Sequence, residues 1–477
     1  MPVADETIAD LSLADAARAL AKKKFTSVEA TEACLARLER FGSKLNCIAE
    51  IDRDAALEQA RAADAALSKS ATKPLHGVPL AHKDMYYRKG RVSGCGSKIR
   101  AGFVPDETAF ALQKLDAAGA LDIARLAMVE FALGVTGHNP IMGTPRNPWN
   151  PDYVTGGSSS GSGVAVAGRM VFAALGSDTG GSIRFPASCC GLVGLKATYG
   201  RVSRRGAMGL SASMDTVGAL TRTVEDAALM LQVIAGHDPE DATTSRLPVP
   251  DYLADIEKGA KGLRVGVPDS YFHDTVDTEV RALVEKSLDV LKAAGATVVA
   301  VPIPDISAAN PLTTMITATE GASLHERWLK DRTSDYGPQT LGRLLAGLFV
   351  PGSLYVDALR LRKKMVREFV ATVFDACDVL HVPMMTVPVP TIAESDTAAN
   401  PGFGKFIVAM GHCSRPFNWL GLPVASMPCG FTKNGLPTAF QLAARPFAEA
   451  TILRALRAYE RETPWTSAAP DMKKISG

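Results

Sequence analysis

The stretch from Gly156 to Arg205, GGSSSGSGVAVAGRMVFAALGSDTGGSIRFPASCCGLVGLKATYGRVSRR, limits what this 477-residue chain can fold into more than any other. Within it, two Gly/Ser clusters are separated by the length of a helix plus a strand. The residues between them, Val164 to Gly168 and Phe172 to Leu175, are small and apolar, so a helix there must press close against a neighbour. Alternation continues around this stretch. A short apolar strand leads into Lys83, a helix is predicted near Thr108 to Ala118, and further apolar strands follow. Strands separated by helices imply a sheet covered on both faces, so the predicted class is α/β.

Helical periodicity dominates residues 7 to 69, with pieces over Ser12 to Leu20, a second opening on Ser27 as cap, and a third over Arg53 to Leu67. No flexible linker follows this prelude of about 70 residues. From Pro248 to about Leu380 the texture changes. Leu263 to Val267 reads as a strand, Asp277 to Ala294 as a helix, and Ala296 to Val301 as a strand. Long amphipathic helices follow near Leu341 and over Tyr355 to Ala376, so the region 250–380 is expected to cover one end of the sheet. Strand-like pieces return at Val379 to Pro383, Val424 to Pro428 and Ala439 to Leu442, with Asn434-Gly435 as a hairpin turn. One continuous domain over 1–477 is the expectation.

Composition sets further bounds. With 47% apolar and 21% charged residues the chain is ordinary for a globular protein, and a net charge of +2 gives no reason to expect a nucleic-acid partner. The cluster Arg360, Arg362, Lys363, Lys364 and Arg367 has helical spacing and reads as a solvated face. Eight cysteines are too sparse for a disulfide framework, and none has metal-site spacing; Cys189 and Cys190 read as small core residues. Reduced thiols and a cytoplasmic location are expected. The N-terminus has no uninterrupted apolar segment, and no stretch approaches a membrane span.

The second cluster, Gly176-Ser-Asp-Thr-Gly-Gly-Ser182, ends a strand and turns into Ile183-Arg184. Paired glycines let successive backbone N–H groups converge on one point, which is what a developing oxyanion requires. A serine at the end of that nest can attack the carbonyl the nest holds. Other readings stand beside this one. Gly157-Ser-Ser159-Ser-Gly161 fits the Gly-x-Ser-x-Gly elbow of a Ser-His-Asp esterase using Ser159, but turn residues precede it where that motif wants a strand. Ser70-Ala-Thr-Lys73 matches Ser-x-x-Lys without its companion motifs. A serine also needs a base, and none of the eight histidines sits in a comparable cluster. Lysine serves if burial disfavours its charge. Lys83 directly follows an apolar strand, although a lone lysine there is more commonly a surface residue at a loop start.

Three segments together resemble the amidase signature family. Gly77-Val-Pro-Leu-Ala-His-Lys-Asp84 resembles its lysine motif, Gly156-Gly-Ser-Ser159 its first serine motif, and Gly176 to Arg184 its nucleophile motif. Weaker similarity covers most of the chain, as far as Asn418-Trp-Leu-Gly-Leu-Pro and Gly435-Leu-Pro. The resemblance implies a large mixed, mainly parallel sheet flanked by helices. It also implies Lys83 as base, Ser158 as relaying hydroxyl and Ser182 as nucleophile. The amides of Thr179, Gly180, Gly181 and Ser182 would form the oxyanion hole, with Asp178, Arg184 and Ser159 in supporting places. A cis peptide bond near the relay serine belongs to the same pattern, and no metal or cofactor is implied. One departure is Ser160, where the family commonly has glycine; the change matters if the position needs φ > 0.

The resemblance leaves the substrate open. A stand-alone hydrolase acting on a small aryl or alkyl amide is the first expectation, with Met128, Phe131, Met208, Leu210, Met214 and the Phe417 to Trp419 stretch as candidate pocket residues. The alternative is the A subunit of a glutamyl-tRNA amidotransferase, releasing ammonia from glutamine within a complex. That subunit carries an acidic residue seven positions before the Asn of Asn-x-x-Gly-Leu-Pro, and here that position is Gly411. Arg343 matches its arginine, or is a helical surface residue. A non-catalytic scaffold is a third reading. The resemblance admits a homodimer, which no residue specifies.

Overall fold

The computed structural model describes residues 5–67, 73–396, 399–400 and 402–476. Ser70 of the Ser-x-x-Lys match lies outside them. Eleven strands among the described residues form one sheet: β1 (Ile48–Ile51), β2 (Pro79–Lys83), β3 (Leu121–Leu126), β4 (Ala173–Asp178), β5 (Val193–Lys196), β6 (Thr216–Thr221), β7 (Arg264–Pro268), β8 (Thr297–Val301), β9 (Val379–Pro383), β10 (Val424–Phe431) and β11 (Pro437–Ala443). Their order is β1-β3-β2-β4-β6-β5-β10-β11-β9-β7-β8. The inner strands β2 to β6, β9 and β11 are buried along their whole lengths, so helices cover both faces as the alternation predicts.

The sheet is mixed, but not mainly parallel. Six of the ten strand pairings are antiparallel. Helical crossovers make β2, β3 and β4 parallel, as they do β9, β7 and β8. The centre runs otherwise. The long connection after β5 returns the chain so that β6 inserts between β4 and β5, antiparallel to both. The β10–β11 hairpin, closed at Asn434-Gly435 with Gly435 at φ +76°, adds further antiparallel pairs.

Two other expectations change in detail. The helical prelude contains strand β1, a half-exposed edge strand antiparallel to β3. Its second helix, Ser27–Arg37, is capped by Thr26 rather than Ser27: the Thr26 hydroxyl accepts from the Glu29 amide while the Glu29 carboxylate accepts from the Thr26 amide. Region 250–380 does more than cover, since β7 and β8 extend the sheet edge before helices 309–331, 338–347 and 352–376 close over it. All eight cysteines are buried free thiols. No single helix among the described residues is long and apolar enough to cross a membrane.

Candidate active site

The two Gly/Ser clusters meet at one end of β4. Helix 160–167 follows the first cluster and packs against β4, and its pressed-in face explains the glycines and alanines of that run. The amide of Ser159 donates to the Ser182 carbonyl at 3.3 Å, which ties the clusters together. Ser159 Oγ accepts from the Ser177 amide at 3.3 Å and lies 3.4 Å from the Ser177 carbonyl. Its hydroxyl is therefore held by backbone, with no strand before it.

Lys83 closes β2 and is fully buried, so it is not the surface residue that its composition favours. Its Nζ donates to Ser158 Oγ at 2.7 Å and to Ser177 Oγ at 2.8 Å. Burial pulls the amine down to about 7 against the opposing pull of the Asp215 and Asp178 carboxylates. A neutral amine between two hydroxyls can accept a proton near neutral pH. Its neighbour His82 cannot compete, because burial holds that imidazole near 4 and its Nδ1 accepts from the Leu175 amide. The Gly157–Ser158 peptide bond is cis.

The nest itself is fixed by one buried ion pair. Asp178 Oδ1 accepts from the Gly181 amide at 2.7 Å, and Asp178 Oδ2 accepts from Ile183 at 3.3 Å. Arg184 Nε donates to Asp178 Oδ2 at 3.0 Å, with both side chains fully buried. The terminal guanidinium nitrogens donate to Asp178 Oδ1 at 3.1 Å and to Gln441, Ser414 and Asn418. Burial alone would raise the Asp178 carboxyl, but Arg184 and the Asn418 hydrogen bond hold it at about 2. Such a pair keeps its shape because every lone pair and proton is engaged. Gly181 sits at φ +123°, where a Cβ would lie 2.5 Å from the Phe185 ring, so only glycine fits. Because its N–H is already donated to Asp178, Gly181 leaves the expected set of four oxyanion donors.

Ser182, Thr179 and Gly180 line a cavity of about 650 Å³. Its walls come from Ala132 to Val135, Leu210, and the helices at 309–331, 338–347 and 403–410. Of the pocket residues expected from sequence, only Leu210 is there. Phe131 stands behind the wall in an aromatic cluster with His325, Trp328 and Tyr336, while its neighbour Ala132 faces the cavity. Met128 packs in the main core, and Met214, Phe417 and Trp419 in a second core cluster. Met208 lines a different hollow, which Ser177 also lines. Periodicity identifies these side chains as buried and says nothing about what they face.

Two participants, Ser177 and Arg415, escape sequence reasoning, which leaves Arg343 open between a family match and a helical surface residue. Ser177, inside the second motif, completes the contacts of Lys83. Arg343 lines the cavity instead of solvating a helix, and Arg415 lines it too. Ser160 takes ordinary helical backbone as the first residue of helix 160–167, so the substitution for glycine imposes no φ > 0. Its buried hydroxyl has no partner among the described residues.

A family model described as Amidase matches residues 29–453. The chain belongs to the amidase signature family. Enzymes of this family hydrolyse C–N amide bonds. The chain is 38% identical to a protein of Geobacter metallireducens named as the A subunit of a glutamyl-tRNA(Gln) amidotransferase, over 96% of this chain and 98% of that one. A protein of the same name from Myxococcus xanthus is 40% identical, over 95% and 98%. A solved structure described as revealing the origins of an s-triazine catabolic enzyme superposes with a TM-score of 0.88 at 32% identity, covering 94% of this amidase and 98% of that chain.

Proposed function

We propose that this amidase releases ammonia from a small carboxamide through an acyl-enzyme on Ser182. The observation that carries this reading is the buried Lys83 amine, held between Ser158 and Ser177 beside the nest that presents Ser182. Neutral Lys83 takes a proton through Ser158 as Ser182 Oγ attacks the amide carbon. The amides of Thr179, Gly180 and Ser182 stabilise the oxyanion. The relay then returns its proton to the departing nitrogen, the C–N bond breaks, and water repeats the sequence to free the acid. Asp178 and Arg184 hold the nest and take no part in proton transfer.

The names of the relatives favour a second reading, the ammonia-releasing A subunit of an amidotransferase, over the aryl or alkyl amidase first expected. Two arginines in the cavity also argue against a purely apolar acyl group. Ammonia release from glutamine, butyramide and benzamide tests both. Turnover abolished in Ser182→Ala and kept in Ser159→Ala supports the nucleophile. Loss only in Ser159→Ala would move the chemistry to the esterase-type elbow, and no turnover or covalent adduct in any variant would favour the scaffold. Glutamine turnover appearing only when partner subunits are added would support the second reading.

A further inference from the structure

The cavity at Ser182 has a charge pattern that the hydrolytic machinery does not explain. Arg343 and Arg415 both line it, and no Asp or Glu occurs among the described residues that do. Arg343 uses one hydrogen on the Leu133 carbonyl at 2.7 Å. Neither arginine, each partly buried, forms an ion pair among the described residues, whereas the fully buried Arg184 has a full set of partners. Burial and the nearby Arg343 charge both lower Arg415, to about 10. Two like charges facing one cavity without a counter-ion are stabilised by an anion placed between them.

The position of Arg415 is specific. A Cβ on Gly411 would lie 2.5 Å from the Arg415 Cζ and 2.7 Å from one of its terminal nitrogens, so the guanidinium folds over the bare Gly411 backbone. A Cβ on Gly180 would lie 3.6 Å from Arg415 Cγ, which sets the same side chain against the nest. Any side chain at 411 and this placement of Arg415 exclude one another. An ammonium group entering here meets a guanidinium and finds no carboxylate to accept it.

We propose that the cavity takes the half-amide of a dicarboxylic acid, its free carboxylate held by Arg343 and Arg415, and that it disfavours amides carrying an α-ammonium. Planar guanidinium groups match a carboxylate in two-point geometry. The missing acceptor disfavours an amino-acid amide such as free glutamine by leaving its ammonium unpaired. This rests on the reading above, in which the amide carbon lies at Ser182.

Binding without chemistry separates the two. Titrating glutarate, butyrate and glutamine into the Ser182→Ala protein reads the anion subsite directly. Glutarate binding tighter than the other two by about tenfold or more is expected, with that margin collapsing in Ser182→Ala/Arg415→Ala. Equal affinities for glutarate and butyrate, or tighter glutamine binding, would overturn the inference whatever the wild type hydrolyses. Glutarate binding as expected, with no covalent adduct on wild-type Ser182, would support the subsite and sink the nucleophile assignment instead. Gly411→Asp combined with Arg415→Ala fills the vacated space with a carboxylate. It should raise glutamine binding relative to glutarate by about tenfold; an unchanged ratio would also contradict the proposal.

Discussion

Lys83 and Lys196 occupy matching places in the fold and differ in what surrounds them. Each is the last residue of a strand, β2 for one and β5 for the other, and each is fully buried. Burial draws both amines down to about 7, and Asp178 pulls both the other way. The amine of Lys83 meets two hydroxyls, whereas that of Lys196 donates to the carbonyls of Leu422 at 2.7 Å and Ala197 at 3.1 Å. A hydroxyl both donates and accepts, so it can pass a proton on; a carbonyl only accepts. A depressed lysine pKa therefore does not mark a base by itself. The partner atoms decide.

Substitutions can break this comparison in order of size. Lys83→Ala removes the base and should lower kcat/KM by about 10²–10⁴, measured by ammonia release, with the fold intact by circular dichroism. Asp178→Ala removes the carboxylate near both lysines and strands Arg184, and should cost about 3–5 kcal/mol in denaturant unfolding. Lys196→Met should leave the pH midpoint of kcat/KM in place and cost about 1–3 kcal/mol, because the Leu422 carbonyl loses its donor. A shifted midpoint would mean that the two lysines are not distinct in role. Smallest is Ser160→Ala beside the relay. Removing a buried hydroxyl without a partner should gain up to about 1 kcal/mol and leave turnover unchanged.

The chemistry of this site is more legible in the sequence than its specificity. Lys83, Ser158, Asp178, Ser182 and Arg184 lie in short segments whose glycines and strand ends announce a constrained turn. Ser177 escapes notice although it lies inside one of them, since nothing local says which way a strand-end hydroxyl faces. The cavity wall draws on residues from 132 to 415, brought together only by packing of helices 309–331, 338–347 and 403–410 over the nest. Buried hydrophobic residues such as Trp419 and Met128 fit a pocket or a core equally well by pattern. In the same way, strand–helix alternation predicts a covered sheet, but strand direction at its centre depends on the long connection that inserts β6 between β4 and β5.

The rate of Ser182 sulfonylation by phenylmethylsulfonyl fluoride, followed by intact mass across a pH range of about 5 to 9, tests the central claim most directly. Lys83 acts in its neutral form, and burial lowers its pKa from the ordinary lysine value to about 7. The rate should therefore be low in acid, climb with pH through about 7, and level above it, with the adduct on Ser182 and this step absent in Lys83→Ala. An adduct on Ser159, or the same step near 7 in Lys83→Ala, would contradict the account.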